Sequence, residues 1–176
     1  MSTKTMLSVS SNRSVITIRP FKSPDDIHYI EQWVGVEADA CLASMYESVE
    51  LADFVESLMI LNNNEPMFQA DLCKAPFDEI SAAFTSQPGD YTLRLLMPFQ
   101  TDNKLFHRGL LHILNYGFAS KHATRILVPV YESNKVLNRW FRQAGCTMAA
   151  GFTYKQLFGL YILTRTSFQM LDQYQT

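Results

Sequence analysis

The sequence predicts an α/β domain in which helices alternate with the strands of a mixed sheet. Three segments carry this reading. Tyr91–Met97 is a buried strand set off by the breaker Gln87-Pro88-Gly89-Asp90, and Leu105–Ala119 is the longest stretch of helical apolar spacing. Arg125–Val130 is a continuous apolar strand, followed by Asn134 and a short helix that stops at Ala144-Gly145-Cys146. Strand and helix signals in such alternation describe a layered domain rather than a bundle or a sandwich.

Before this core, Ser14–Phe21 alternates Val15, Ile16 and Ile18 with Thr17 and Arg19, the period of a half-buried strand. Ser23-Pro24-Asp25-Asp26 is a helix start, with Ser23 as cap, Pro24 at the first helical position and two acids in the first turn, and Ile27, Ile30, Trp33 and Val34 form the apolar face. Val49, Ala52, Phe54, Val55 and Leu58 suggest a second helix running into the apolar stretch Leu58–Leu61. The turn cluster Asn62-Asn63-Asn64-Glu65-Pro66 precedes strand-like Met67–Leu72, so the two apolar runs are expected to pair as a hairpin. Phe77, Ile80 and Phe84 have helical spacing. After the core strands, Val136–Ala144 is a helix ended by Gly145, and Thr147–Phe152 with Phe158–Thr164 form a closing hairpin. The expected order is β α α β β α β α β α β β. The first 13 residues, rich in Ser and Thr, read as a flexible lead-in, and 14–176 as one domain.

Composition narrows the function. With 176 residues, 47% of them hydrophobic and 18% charged, the chain can bury a full core. A net charge of −2 and scattered basic residues argue against nucleic acid as a partner. No apolar run approaches the ~18 residues of a membrane span. Cys41, Cys73 and Cys146 have neither CxxC nor Cys/His metal spacing, so no metal is expected. An odd number of cysteines without a signal peptide fits free thiols in the cytoplasm.

The combined spacing resembles the GNAT superfamily of N-acyltransferases. Within it, the likeness is to the branch that acylates hydroxylamines and lysine side chains in siderophore assembly, such as aerobactin-type hydroxylysine acetyltransferases and mycobactin lysine acyltransferases. Phe68-Gln69-Ala70-Asp71-Leu72 stands where that branch has an aromatic, apolar, acidic strand motif, with Asp71 on its usual Glu. Asp78 to Arg94 keeps the branch spacing, with Phe84, Pro88, Asp90, Tyr91 and Leu93 in register. Tyr131-Glu132-Ser133-Asn134 followed by Ala144-Gly145-Cys146 matches its strand–Asn–helix ending. The resemblance, from about Ile16 to Thr164, implies a mostly antiparallel mixed sheet. Two central parallel strands would separate in a V, and helices would cover both faces.

It also implies acetyl-CoA or another acyl-CoA as co-substrate and a small-molecule amine or hydroxylamine as acceptor, in a monomer or homodimer. The backbone of Leu95, Leu96 and Met97 would meet the thioester end of CoA. Lys104, His107, Arg108 and Gly109 would lie at its pyrophosphate, and Asn134 would bond the pantetheine arm or cap the following helix. Tyr131 would donate a proton near the sulfur or simply pack.

Three departures from the branch bear on turnover. Its putative base, a His after the Asp-aromatic-x-Leu frame, is Arg94, which stays protonated and cannot accept a proton. The Asp near the end of the next strand is missing, with Pro129 and Tyr131 there instead. Phe106 and Arg108 stand at the glycine positions of the phosphate loop. Asp71 and Arg94 then form the candidate polar pair at the acceptor, either catalytic or a structural ion pair. Phe141 replaces a frequent catalytic Tyr, and His28, His112 and His122 read as ordinary surface or core residues. The sequence thus points to an acyltransferase, with a catalytically degenerate GNAT-fold binding or partner-interaction module as the alternative.

Overall fold

The computed structural model describes residues 6–11, 14–35, 48, 52–98, 102–149 and 158–172, with only the backbone described for 6–11 and 170–172. The expectations for Cys41, Val49, the loop residues Phe99-Gln100-Thr101 and the strand end at 150–152 lie outside these residues. Two compact units separate, one within Met1–Leu72 and Leu95–Ile113, the other within Cys73–Arg94 and Leu114–Thr176.

In the first unit, β1 (Met6–Ser11), β2 (Ser14–Pro20), β3 (Val55–Asn62) and β4 (Glu65–Lys74, its last two residues in the second unit) are hydrogen-bonded in that order. β1 pairs antiparallel with β2, so six residues expected in a flexible lead-in form a strand. β2 pairs antiparallel with β3, from Ile16 opposite Asn62 to Pro20 opposite Leu58. The expected hairpin forms. Asn63 and Asn64 take φ of 50° and 72°, the left-handed pair a tight two-residue turn needs and asparagine tolerates. Asn63 also ties the turn to β2, accepting Val15 N–H on Oδ1 at 2.8 Å.

Residues 57–61 of β3 and 67–70 of β4 are buried without interruption, the pattern of strands covered on both faces. Val55 and Leu58 therefore belong to a strand and not to the helix their spacing suggested. The first helix, α1, spans Ile27–Val34, with Asp26 rather than Ser23 at its N-cap position and no side-chain cap bond. The Asp26 carboxylate accepts from Lys22 N–H and from both arms of Arg19, at 2.5 and 2.7 Å, which fixes the chain between β2 and α1. Ile27 and Ile30 pack with Phe21, Met59 and Leu61.

In the second unit, β5 (Asp90–Leu96, its last two residues in the first unit), β6 (Arg125–Tyr131), β8 (Phe158–Thr164) and β7 (Thr147–Met148) follow in hydrogen-bonded order. β5 and β6 are parallel; β6–β8 and β7–β8 are antiparallel. The connection from β5 to β6 contains α2 (Asn103–Ala119, which belongs to the first unit as far as Ile113), and α3 (Lys135–Gln143) follows β6. Gly145, at φ +77°, ends α3 as expected. A further helix, α4 (Arg165–Asp172), follows β8 without a sequence forecast. The helix expected over Phe77–Phe84 is instead two 3-10 turns, Ala75–Phe77 and Glu79–Ala82. Asp78 stands between them in extended conformation and caps the second through Ile80 N–H, so no continuous helix can pass it.

Candidate active site

Asp90 opens β5, is 1% exposed, and grips Arg125 at the start of β6 through two bonds of 2.8 and 2.6 Å. This fork sets the register Asp90↔Arg125, Tyr91↔Ile126 and Thr92↔Leu127, and the ladder ends there. Leu93 and Arg94 run on without partners on Val128 and Pro129. The cause lies in β6. Leu160 of β8 stands opposite Pro129 and spends its carbonyl on Ala149 N–H. Opposed residues of an antiparallel ladder bond each other together or not at all. Pro129 therefore turns its backbone toward β5, where it has no N–H to give. The expected V-shaped separation of the two parallel strands starts beyond the last pair, where Pro129 stands two residues after Leu127.

Arg94 follows the last pair and reaches back to Asp78. Nε donates to Oδ2 at 3.0 Å, Nη2 to Oδ1 at 2.9 Å, and Nη2 also to Glu79 at 3.0 Å. Thr92 adds its hydroxyl to Asp78 at 2.9 Å. Burial raises the pKa of Asp78, but the bonds from Arg94, Ile80 N–H and Thr92 outweigh it and leave the carboxyl below its usual range. The same bond to Asp78 raises the Arg94 guanidinium still further. The carboxylate partner of Arg94 is thus Asp78, which corrects the expected pairing with Asp71. The choice follows from the extended backbone at Asp78, which presents both carboxylate oxygens to the fork.

Asp71 sits half-buried on β4. Its Oδ1 accepts from the Ser57 hydroxyl of β3 and, at 2.5 Å, from Gln69 Nε2. Ser57 and Gln69 are 9% and 1% exposed, so the carboxylate rests on a buried polar floor. Residues 69 and 71 share one face of β4 by strand alternation, a signal present in the sequence but not used for Gln69.

The start of α2 departs from an open phosphate cradle. Asp102 Oδ1 accepts from Lys104 N–H and Leu105 N–H, both at 2.9 Å, and Asp102 O accepts from Phe106 N–H. The N–H groups that would meet a pyrophosphate are held by the chain's own carboxylate. Phe106 is fully buried with its ring centroid 4.7 Å from that of Phe68. Arg108 turns to Ser14, bonding its hydroxyl and its carbonyl, so its guanidinium serves β2. Gly109 is a packing glycine: a Cβ there would come within 2.7 Å of Phe68. Lys104 is exposed. His107 keeps its Nε2 buried without a bond among the described residues, and burial lowers its pKa.

At the far end of β6, Tyr131 is 51% exposed and its ring lies tilted against Phe158 with centroids 3.9 Å apart. Asn134 caps α3 through Leu137 N–H at 3.0 Å, so the capping role is realised. Leu95, Leu96 and Met97 are half-buried. Cys146 is buried and its thiol is pushed up to about 12 by desolvation, which removes it as a nucleophile. The described helices include none long and apolar enough to cross a membrane.

The chain is similar in structure to several solved proteins. An uncharacterized protein (bh2621) from Bacillus halodurans shares 17% identity over 94% of this chain and 93% of that one, with a TM-score of 0.80. The aminoglycoside acetyltransferase AAC(6')-Ib in complex with coenzyme A shares 19% over 89% and 99%, with a TM-score of 0.75. FdhC, a nucleotide-linked sugar GNAT, shares 12% over 91% and 93%, with a TM-score of 0.70. At these identities what is shared is the fold, which is the GNAT fold. No family model matches the sequence, and no curated protein matches it significantly.

Proposed function

We propose that the chain is an acyl-CoA-dependent N-acyltransferase. It moves an acetyl or related acyl group to an amine or hydroxylamine of a small molecule. The end of the β5–β6 ladder before Pro129 carries this reading, because it leaves the backbone of β5 beyond Leu93 without a ladder partner on β6. Backbone donors suit a thioester carbonyl, whose oxygen gains charge when the nucleophile adds. The fold shared with an acetyltransferase in complex with coenzyme A supports it.

In this mechanism the acceptor nitrogen attacks the thioester carbon. The tetrahedral intermediate collapses to an amide or hydroxamate, and the C–S electron pair leaves on the CoA sulfur. The nitrogen's proton goes to Asp71 or to water, and Tyr131 supplies a proton to the departing thiolate. Arg94 takes no part in proton transfer, because it stays charged and committed to Asp78. A hydroxylamine is largely neutral near pH 7 and needs a base less than a lysine amine does. That preference, with the motif around Asp71, favours the hydroxylamine acceptors of siderophore assembly.

The residues fit the two ends of CoA unequally. Leu95, Leu96 and Met97 offer backbone to the thioester and pantetheine end. The pyrophosphate would have Lys104 and His107 for side-chain contacts but would have to displace the Asp102 carboxylate from the first turn of α2. This pre-filled turn favours, as second reading, a GNAT-shaped module that binds without turnover. Calorimetry with acetyl-, succinyl- and longer-chain CoA, followed by a thiol-release assay on a panel of amines and hydroxylamines, tests both. Binding with release supports the enzyme, binding without release the module, and no binding at millimolar ligand sinks the acyl-CoA reading.

A further inference from the structure

An open groove of about 640 Å³ lies along the outer side of α3, lined by Glu132, Lys135, Asn138, Arg139, Arg142 and the edge-strand residue Met148, among others. Its volume falls within the span of small-molecule sites, yet its lining is cationic. Lys135, Arg139 and Arg142 recur at helical spacing on one side of α3, against one carboxylate, Glu132, in a chain whose net charge is −2. The cluster is thus a local concentration of charge and not a reflection of overall composition.

The floor of the groove is ordered. Arg142 Nε donates to the Tyr161 hydroxyl at 3.1 Å, and that hydroxyl donates to Asn138 Oδ1 at 2.8 Å. Asn138 Nδ2 in turn donates to the carbonyls of Tyr131 and Asn134. Tyr161 is fully buried and Asn138 is 8% exposed, so one side of the Arg142 fork is anchored to the core. Its two Nη groups, and the whole head of Arg139, bond nothing among the described residues. A guanidinium fixed through Nε, with both terminal nitrogens unbonded among the described residues, is preorganised for an oxyanion.

We propose that this groove binds a small anion with two oxyanion groups, phosphate or carboxylate, about 5–10 Å apart, the axial spacing of the three cations on a helix of 1.5 Å rise. One group sits in the Arg142–Arg139 fork and the other at Lys135, with Met148 against the carbon skeleton. The site does not rest on the acyl-transfer reading, which uses neither Arg139 nor Arg142.

The test is calorimetry at fixed ionic strength with propane-1,3-diol bisphosphate and with citrate, on the wild type, Arg139→Glu and Arg142→Lys. One or both anions should bind the wild type, and which one distinguishes phosphate from carboxylate. Arg139→Glu, on an exposed position, should keep its melting temperature and weaken binding about tenfold or more, the loss of a charge-assisted bond. Arg142→Lys, which keeps charge but loses the fork, should weaken it as well. No binding of either anion to the wild type overturns the proposal, as does binding that Arg139→Glu leaves unchanged. Stoichiometric displacement of the anion by CoA would place it in the co-substrate's site and would also overturn it.

Discussion

Arg94 holds Asp78 by two parallel bonds, Nε on one carboxylate oxygen and Nη2 on the other, across the 3-10 turns that precede β5. The carboxylate side chain is 5% exposed and the guanidinium 40%. Removing either partner strands a charge, and the carboxylate is the more costly one to strand.

Arg94→His should therefore behave as a stability defect and not as the restoration of a catalytic base. An imidazole cannot reproduce the fork. We expect a loss of roughly 2–3 kcal/mol in denaturant unfolding, below the full range for a buried pair because Arg94 is partly solvated. Turnover per folded molecule should not rise. A variant that melts like the wild type and turns over faster would contradict this assignment.

The same pair gives a pH signature. The folded-state pKa of Asp78 is lowered, so its stabilising contribution is complete above the unfolded value of about 4 and fades as pH falls through the folded one. Asp78→Asn keeps the capping oxygen and loses the charge. The stability gap between wild type and Asp78→Asn should be widest above pH ~5 and narrow steadily toward pH ~2. A gap that is constant with pH would show that the charge contributes nothing.

Much of this framework could be read from the sequence, and what could not was decided by long-range partners. The Asn63-Asn64 hairpin and the glycine stop of α3 follow from local chemistry, while the parallel strand pair was expected only from the resemblance. β3 did not, because Val55 and Leu58 have helical spacing and become strand only between β2 and β4. The 3-10 turns were hidden by Phe77, Ile80 and Phe84, whose spacing ignores the capping carboxylate among them. In the site, Arg94 was visible as a departure, but its partner was not: Asp78 and Asp71 are both acids at plausible distance along the chain. Pro129 was noted only as the absence of an Asp; its missing N–H acquires meaning once β8 fixes which way it faces.

Asp102 offers a prediction with a definite sign. Its carboxylate occupies the N–H groups of Lys104 and Leu105. Asp102→Asn keeps an equivalent cap and removes one negative charge from the first turn of α2. If CoA lays its pyrophosphate there, affinity should rise about fivefold, the equivalent of about 1 kcal/mol for a unit charge near 4 Å in water. Stability should change little. Calorimetric Kd values for the two proteins decide it, and weaker binding by Asp102→Asn would mean the phosphates lie elsewhere.

The last prediction concerns Asp71, the half-buried carboxylate on the Ser57 and Gln69 floor. If it takes the proton from the acceptor nitrogen, Asp71→Asn should lower kcat by ~10²–10⁴, the span for a positioned base, with CoA affinity nearly constant. Asparagine can still accept from Ser57 and Gln69, so the local fold should persist. The loss should be greater for an amine acceptor, which must be deprotonated at neutral pH, than for a hydroxylamine, which is already neutral. That ordering separates a base from a scaffold, because a purely structural carboxylate would give equal losses for both acceptors and a lower melting temperature. Turnover with both acceptor types and thermal melting on the same preparations supply the comparison. Full activity in a stably folded Asp71→Asn protein would remove Asp71 from the mechanism and leave water, or the acceptor itself, to carry the proton.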